Sequence, residues 1–288
     1  MSTEAGSESP EYADFDSDVI FSVEFASCHI FRQLLEFLNP TMDNLPIFFG
    51  KDEISMICKN GSETLFFQGS IDVCNLTDYY LNPMVTREDE NASHVINVQI
   101  ARLLKSVKDL PKKGTFKISQ RQSDLDNIIL TAVDHCTNNP FRLLHIRDED
   151  INISFDEENP IPSNRPNRTV NLQKFSHFAA GCGKSSSRSS YIRCYPHGVD
   201  ILGTTSDKGS GGHVAWGPCP ETERICDIKV GAEIMKSMAK LSTLFPEGIV
   251  RFYCNDPDYM RLEIPISVLG TAFIYIRKTG GGVVSKKD

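Results

Sequence analysis

No stretch of this 288-residue chain is apolar for long enough to cross a bilayer as a helix, and its nine cysteines include no Cys-x-x-Cys pair. The first absence argues against membrane insertion. The second removes zinc-ribbon and thioredoxin chemistry, because the nearest cysteines in sequence, Cys219 and Cys226, stand seven apart. Basic residues are missing from the first eighteen positions, which instead hold Glu4, Glu8, Glu11, Asp14, Asp16 and Asp18. That is the reverse of a secretory leader, so residues 1–17 read as an acidic disordered tail, and a reducing compartment with free thiols is expected.

Catalytic spacings are lacking as well. His94, His135, His145, His177 and His213 stand apart, without the HExxH or cysteine–histidine spacing that unites a metal site. The acids Asp148, Glu149 and Asp150 belong to a solvated connector, where nothing tunes them for proton transfer. GCGKSSSRSS, residues 181–190, contains the GKS of a phosphate loop, but the first glycine of such a loop is replaced by Phe178. The periodicity ahead of it is helical, so Gly181 and Gly183 stop a helix, and Lys184 with Arg188 gives that helix a positive end. No enzyme, cofactor or metal is expected.

What the chain does contain is a unit repeated four times. Apolar residues make up 40% and charged residues 24%, ordinary for a soluble chain of two domains. Residues 19–25 alternate like a strand. Residues 28–38 then carry Ile30, Phe31, Leu34, Leu35 and Leu38 on one helical face, and short strands follow at 45–49, 54–58 and 64–71. The order of strand, helix and strands returns from 94, where Ile100, Leu103, Leu104 and Val107 point inward, and from 168, with Leu172, Phe175, Phe178 and Ala179. A last copy starts at 225, with Ile234, Met235, Met238 and Leu241. Residues 148–164 are acidic and then proline-rich, which suits a connector between two similar domains at 18–147 and 165–278, with a flexible tail at 279–288. The fold class expected is α+β, with helices on one face of antiparallel sheets.

Charge is distributed unevenly over these units. The net charge is −8, yet the four helices are positive in sum: Arg102, Lys105 and Lys108 in the second, Lys174 and Lys184 around the third, Lys236 and Lys240 in the fourth. In the first, Arg32 is cancelled by Glu36. A basic surface on an acidic protein can hold a polyanion through its phosphates without reading bases.

The repeated unit, the connector and the basic helices together resemble the proliferating cell nuclear antigen family of DNA sliding clamps. FASCHIFRQLLEFLN, HVINVQIARLLKSVKD and the stretch from VGAEIMKSMAKL to the strand AFIYI carry the likeness, over about residues 18–278. It implies a DNA clamp fold, divergent and including the viral versions. Chains would join head to tail, usually as a homotrimer, with the helices facing a hole around double-stranded DNA. Expected partners are a DNA polymerase, other clamp-binding peptides and a clamp loader, with no membrane, in the nucleus or at a site of viral DNA replication.

Arg32, Arg102 and Lys105 match basic inner positions of the family, whereas His177 and Ala180 stand where it often has arginine. The DNA-facing set is completed by Lys108, Lys174, Lys184, Arg188, Lys236 and Lys240. The resemblance also implies a peptide pocket from Ile151, Ile153 and Phe155 of the connector with Tyr259 and Tyr275, although Lys59 and Arg277 replace apolar or small residues there. It implies subunit contacts near Phe141, Leu143 and His145 and near Val199, Ile201 and Gly203. Other readings are a monomeric clamp-like processivity factor, one subunit of a mixed clamp, and a regulatory DNA-binding protein outside the clamp role.

Overall fold

The structure is a computed structural model and describes residues 18–85, 87, 89, 92–108, 114–133, 140–147, 165–182, 189–203, 212–256 and 258–278, with backbone alone at 132–133, 140–147 and 189. The first half contains β1 (Val19–Phe25), α1 (Cys28–Leu38), β2 (Asn44–Phe49), β3 (Glu53–Lys59), β4 (Leu65–Asp72) and β5 (Asp78–Leu81). It continues through β6 (His94–Gln99), α2 (Ile100–Lys108), β7 (Thr115–Arg121), β8 (Asp124–Val133) and β9 (Pro140–Arg147). The second half holds β10 (Arg168–Asn171), α3 (Leu172–Cys182), β11 (Ser189–Tyr195), β12 (Gly198–Gly203), β13 (His213–Trp216) and β14 (Cys226–Gly231). After these come α4 (Ala232–Met238), α5 (Leu241–Leu244), β15 (Ile249–Tyr253), β16 (Tyr259–Ile266) and β17 (Gly270–Arg277). Strand, helix and strands recur four times, as the alternation in the sequence predicts.

Local chemistry explains where the helices start and break. Ser27 is extended and its hydroxyl accepts the His29 amide at 3.1 Å, which satisfies one of the free donors opening α1. Phe31, Leu34, Leu35 and Leu38 then fall on one stripe and are buried, each contributing about 1.5–3 kcal/mol relative to exposure. The fourth helix differs from the expectation, because it is divided at Ala239 and Lys240 into α4 and α5. Ser176 of α3 meets the break: its hydroxyl bonds the Met238 carbonyl at 3.3 Å and the Ser242 amide at 2.9 Å. Groups freed by the interruption are thus paired by a neighbouring helix.

Three antiparallel sheets carry the strands, in the orders β5-β1-β7-β8-β9, β10-β15-β16-β17-β4-β3-β2-β6 and β13-β12-β11-β14. The eight-stranded sheet joins the halves, because β17 pairs with β4 from Gly270↔Ile71 to Ile276↔Leu65. Gly270 is needed at that seam: a Cβ there would lie 2.0 Å from the Ser70 carbonyl oxygen. Between sheets and helices the core is dense in aromatics. Phe21 stacks on Phe49 at 3.9 Å, and Phe175 meets Phe252 edge-on at 5.6 Å.

The helices form one layer across both halves. α1 packs beside α2, α3 beside α4 and α5, and α1 reaches α4 and α5. Each turns its apolar stripe toward the sheets, so their polar faces point to a common side.

Candidate nucleic-acid interface

The helical period that buries one side of each helix exposes the other. In α2, Ile100, Leu103 and Val107 are buried, while Arg102, Lys105 and Lys108 are exposed one turn apart. In α3, Leu172, Phe175 and Ala179 face inward and Lys174 and His177 outward. In α4, Ile234, Met235 and Met238 are buried, with Lys236 and Glu233 exposed. Among the described residues, Glu233 is the one fully exposed acid on these helices. The outer side of the helix layer is therefore a cation-rich surface on a chain of net charge −8.

Two members of the expected set stand apart from it. Arg32 is half-buried: its Nε lies 2.9 Å from Glu36 Oε1, and its Nη1 donates to the Lys108 carbonyl at 3.3 Å. Its charge is met within the protein, and it ties α1 to the end of α2. Lys240 is also half-buried, at the break between α4 and α5. Lys184 and Arg188 lie outside the described residues. The segment containing them follows a helix and precedes a strand, the opposite of the strand-then-helix setting of a phosphate loop.

The other face of the eight-stranded sheet has a different character. Along β4, β16 and β17 the inner positions are apolar, and the alternate positions place Phe66, Gln68, Tyr259, Arg261, Phe273 and Tyr275 together on the side away from the helices. Tyr259 meets Phe66 edge-on at 5.5 Å. Tyr275 lies directly across from Phe66 and its hydroxyl donates to Gln68 Oε1 at 3.3 Å. Burial raises the Tyr275 phenol, with Arg261 acting in the opposite direction.

Arg261 is only 3% exposed, and its guanidinium lies 4.0 Å from the centre of the Tyr253 ring and 5.3 Å from that of Phe273. Beside it Glu263 binds both Arg251 and the Tyr253 hydroxyl. Phe66, Arg261, Tyr253 and Phe273 are residues that the sequence reading missed, although alternation in β4, β16 and β17 marks Phe66, Arg261 and Phe273 as facing the Tyr275 side, and Tyr253 of β15 is cross-strand from Arg261. Lys59 is cross-strand from Phe66 and is engaged by Glu63 at 2.6 Å. Ile151, Ile153 and Phe155 lie outside the described residues.

Strand edges complete the geometry. β9 ends the five-stranded sheet, so its outer edge is unpaired among the described residues, and Phe141, Leu143 and His145 lie on it. The expectation for Val199, Ile201 and Gly203 has to be corrected. They belong to β12, which is paired on both sides, by β11 and by β13, and Val199 and Ile201 are 0% exposed. Among the described residues the edges of this sheet are β14 and, next to β12, β13, with Trp216 ring-to-ring against Phe178 and Phe175 at 6.4 and 6.3 Å. HVAW after the glycine-rich stretch was the signal for this additional strand.

A duplicated run of strand, helix and strands, with every helix on one side and an eight-stranded sheet joining the halves, is the DNA clamp fold. Solved clamps share it at low identity. Proliferating cell nuclear antigen from Entamoeba histolytica is similar with a TM-score of 0.71 at 13% identity, over 91% of this chain and 100% of that one. A chain of the PCNA2–PCNA3 complex from Sulfolobus tokodaii is similar with a TM-score of 0.66 at 13% identity, over 89% and 98%. No protein-family model matches the chain, and no curated protein matches it by sequence. The likeness is one of fold.

Proposed function

We propose that this chain is a DNA sliding clamp, a processivity factor whose copies join head to tail around duplex DNA and tether a polymerase. The observation that carries this reading is the single helix layer, whose outward side gathers Arg102, Lys105, Lys108, Lys174 and Lys236 on an otherwise acidic protein. Cations in such a layer hold phosphates without selecting a sequence, while the acidic remainder discourages contact elsewhere. In the ring, the β9 edge of one copy pairs with the β13 edge of the next, as exposed strand edges are prone to do. Polymerase and other clamp-binding peptides dock on the opposite side near Phe66, Tyr259 and Tyr275, and a clamp loader opens the ring. The chain acts in the nucleus or where viral DNA is replicated, and no catalytic role is assigned to it.

The test is retention on DNA with free or blocked ends. The clamp reading expects binding that is indifferent to sequence, persists on closed circles or end-blocked duplex, and is lost when an end is freed. Replacing Arg102, Lys105 and Lys108 by Ala should weaken retention at least tenfold and lower its dependence on salt, with the fold intact. Sequence-specific binding to open linear DNA would instead make the chain a regulatory DNA-binding protein.

A second reading has a specific observation in its favour: one of the similar structures is a complex of two different clamp chains. In that case this chain is one subunit of a mixed ring and stays single when purified alone. Solution mass at micromolar concentration separates the two, since self-association gives a trimer.

A further inference from the structure

At one end of the second half, four sulfurs meet between two sheets. Cys194 on β11 and Cys226 on β14 are direct cross-strand partners, and both point to the inner face. Cys254 reaches in from the end of β15, and Met260 Sδ lies 3.7 Å from Cys194 Sγ. Cys226 and Cys254 are near enough for both to act on the Cys194 thiol and raise it. Cys194 and Cys254 are fully buried, but Cys226 is half-exposed at the mouth of the cluster, next to the exposed Ile225. Lys278 lies at the mouth: its ammonium donates to the Cys254 carbonyl at 3.0 Å and to the Asp256 carbonyl, and its charge acts on the Cys226 thiol.

We propose that Cys226 is a thiol-modification site, oxidised by peroxide and resolved by Cys194 into a reversible disulfide between β11 and β14. In the first step the Cys226 thiolate attacks one oxygen of hydrogen peroxide and the O–O bond breaks. Sulfur becomes a sulfenic acid, oxidised by two electrons, and the departing hydroxide takes a proton and leaves as water. In the second, the Cys194 sulfur attacks the Cys226 sulfur and the S–O bond breaks. The thiol proton of Cys194 leaves with the hydroxyl as a second water.

Electrostatics favour this order. The hydrogen bond from Cys194 and the nearby Lys278 ammonium bring the Cys226 thiol down to about 7, against burial and the Asp227 carboxylate. Cys194 is pushed the other way by Cys226, by Cys254 and by burial, so of the two partners Cys226 meets peroxide first, and Cys194 gives up its proton only as its sulfur attacks. Burial raises Cys28, Cys58, Cys182 and Cys219, which marks them as inert. Antiparallel neighbours on one face lie within the Cα spacing a disulfide requires.

The experiment treats the reduced full-length chain with stoichiometric hydrogen peroxide and maps its peptides by mass spectrometry without reduction. The expected product links Cys194 to Cys226, is reversed by dithiothreitol, and is absent from Cys226→Ser. At pH 7, Lys278→Ala should slow iodoacetamide labelling of Cys226 about threefold, because less thiolate is present, and leave the exposed Cys74 unchanged. A bridge from Cys226 to Cys254, no bridge at all, or oxidation of Cys74 ahead of Cys226 would each overturn the proposal. So would labelling of Cys226 at an unchanged rate in the lysine variant.

Discussion

The protein uses its cations in two ways. On the sheet side several have carboxylate partners. Arg251 is held by Glu263, Lys59 by Glu63, and Arg193 and Arg224 share Glu221 and Asp227 at 3.1–3.6 Å. On the helix side, Lys105, Lys108, Lys174 and Lys236 are exposed, and among the described residues no carboxylate pairs with them. The same residue types thus brace the structure on one face and are left available on the other. A total charge hides this difference, which concerns only where each cation's counter-charge is found.

The sharpest way to break the comparison is to reverse charge on one face at a time. Lys105→Glu with Lys108→Glu and Lys59→Glu with Arg224→Glu alter the net charge equally. The first pair should cost about a hundredfold in affinity for end-blocked duplex at low salt, and the second should leave it unchanged, as read by fluorescence anisotropy. Equal losses from both pairs would mean that DNA responds to net charge alone, and the helix layer would lose its special status.

Alkali offers a second asymmetry, because the described helices contain no tyrosine. Burial pushes Tyr79 and Tyr195 up to about 12 and also raises Tyr253 and Tyr275. Their phenols stay protonated in the fold while those of the unfolded chain begin to ionise near pH 10. Stability is therefore complete below pH 10 and is lost as pH climbs through 12. On the order of 2 kcal/mol should disappear, allowing for the water that reaches Tyr79 and Tyr253. Urea midpoints at pH 9, 10, 11 and 12 measure this, and Tyr195→Phe should flatten the fall.

How much of this was legible in the sequence depends on how local the cause is. The four units could be read because alternation and the helical stripe are set by neighbours in the chain, and the exposed cations follow from the stripe that defines their opposite face. Position within a sheet is not local. β12 and β13 both alternate, but only pairing with β11 and β13 shows that β12 is interior, which moved the open edge from Val199 and Ile201 to Trp216. The helix break at Ala239 depends on Ser176, sixty-two residues from Met238, and no periodicity announces it. Arg261 is likewise a charged residue in an otherwise regular alternation, and only Tyr253 and Phe273 reveal that it is buried.

A smaller effect tests the bracing role of the sheet-side carboxylates. Glu263 binds both Arg251 and the Tyr253 hydroxyl, and its side chain is 19% exposed. Glu263→Gln removes the charge but keeps the shape, so the expected loss is about 1 kcal/mol of stability by urea denaturation. DNA retention should stay at the level of the unaltered protein. A drop in retention would show that the sheet side takes part in holding DNA.

The smallest expected change separates the two uses of cations within the helix layer itself. Arg32 was expected to face DNA, and it belongs to a helix of that layer, yet its guanidinium is committed to Glu36 and to the Lys108 carbonyl. An i,i+4 ion pair of this kind contributes about 0.3–0.5 kcal/mol. Arg32→Ala should therefore lower stability by about that amount, and reduce DNA retention less than Lys105→Ala does, since Lys105 has no such commitment. If Arg32→Ala instead weakens DNA binding as strongly as Lys105→Ala, the bonds to Glu36 and Lys108 must open when DNA is held. Residue pairing in the free protein would then be a poor guide to which cations the helix layer can offer.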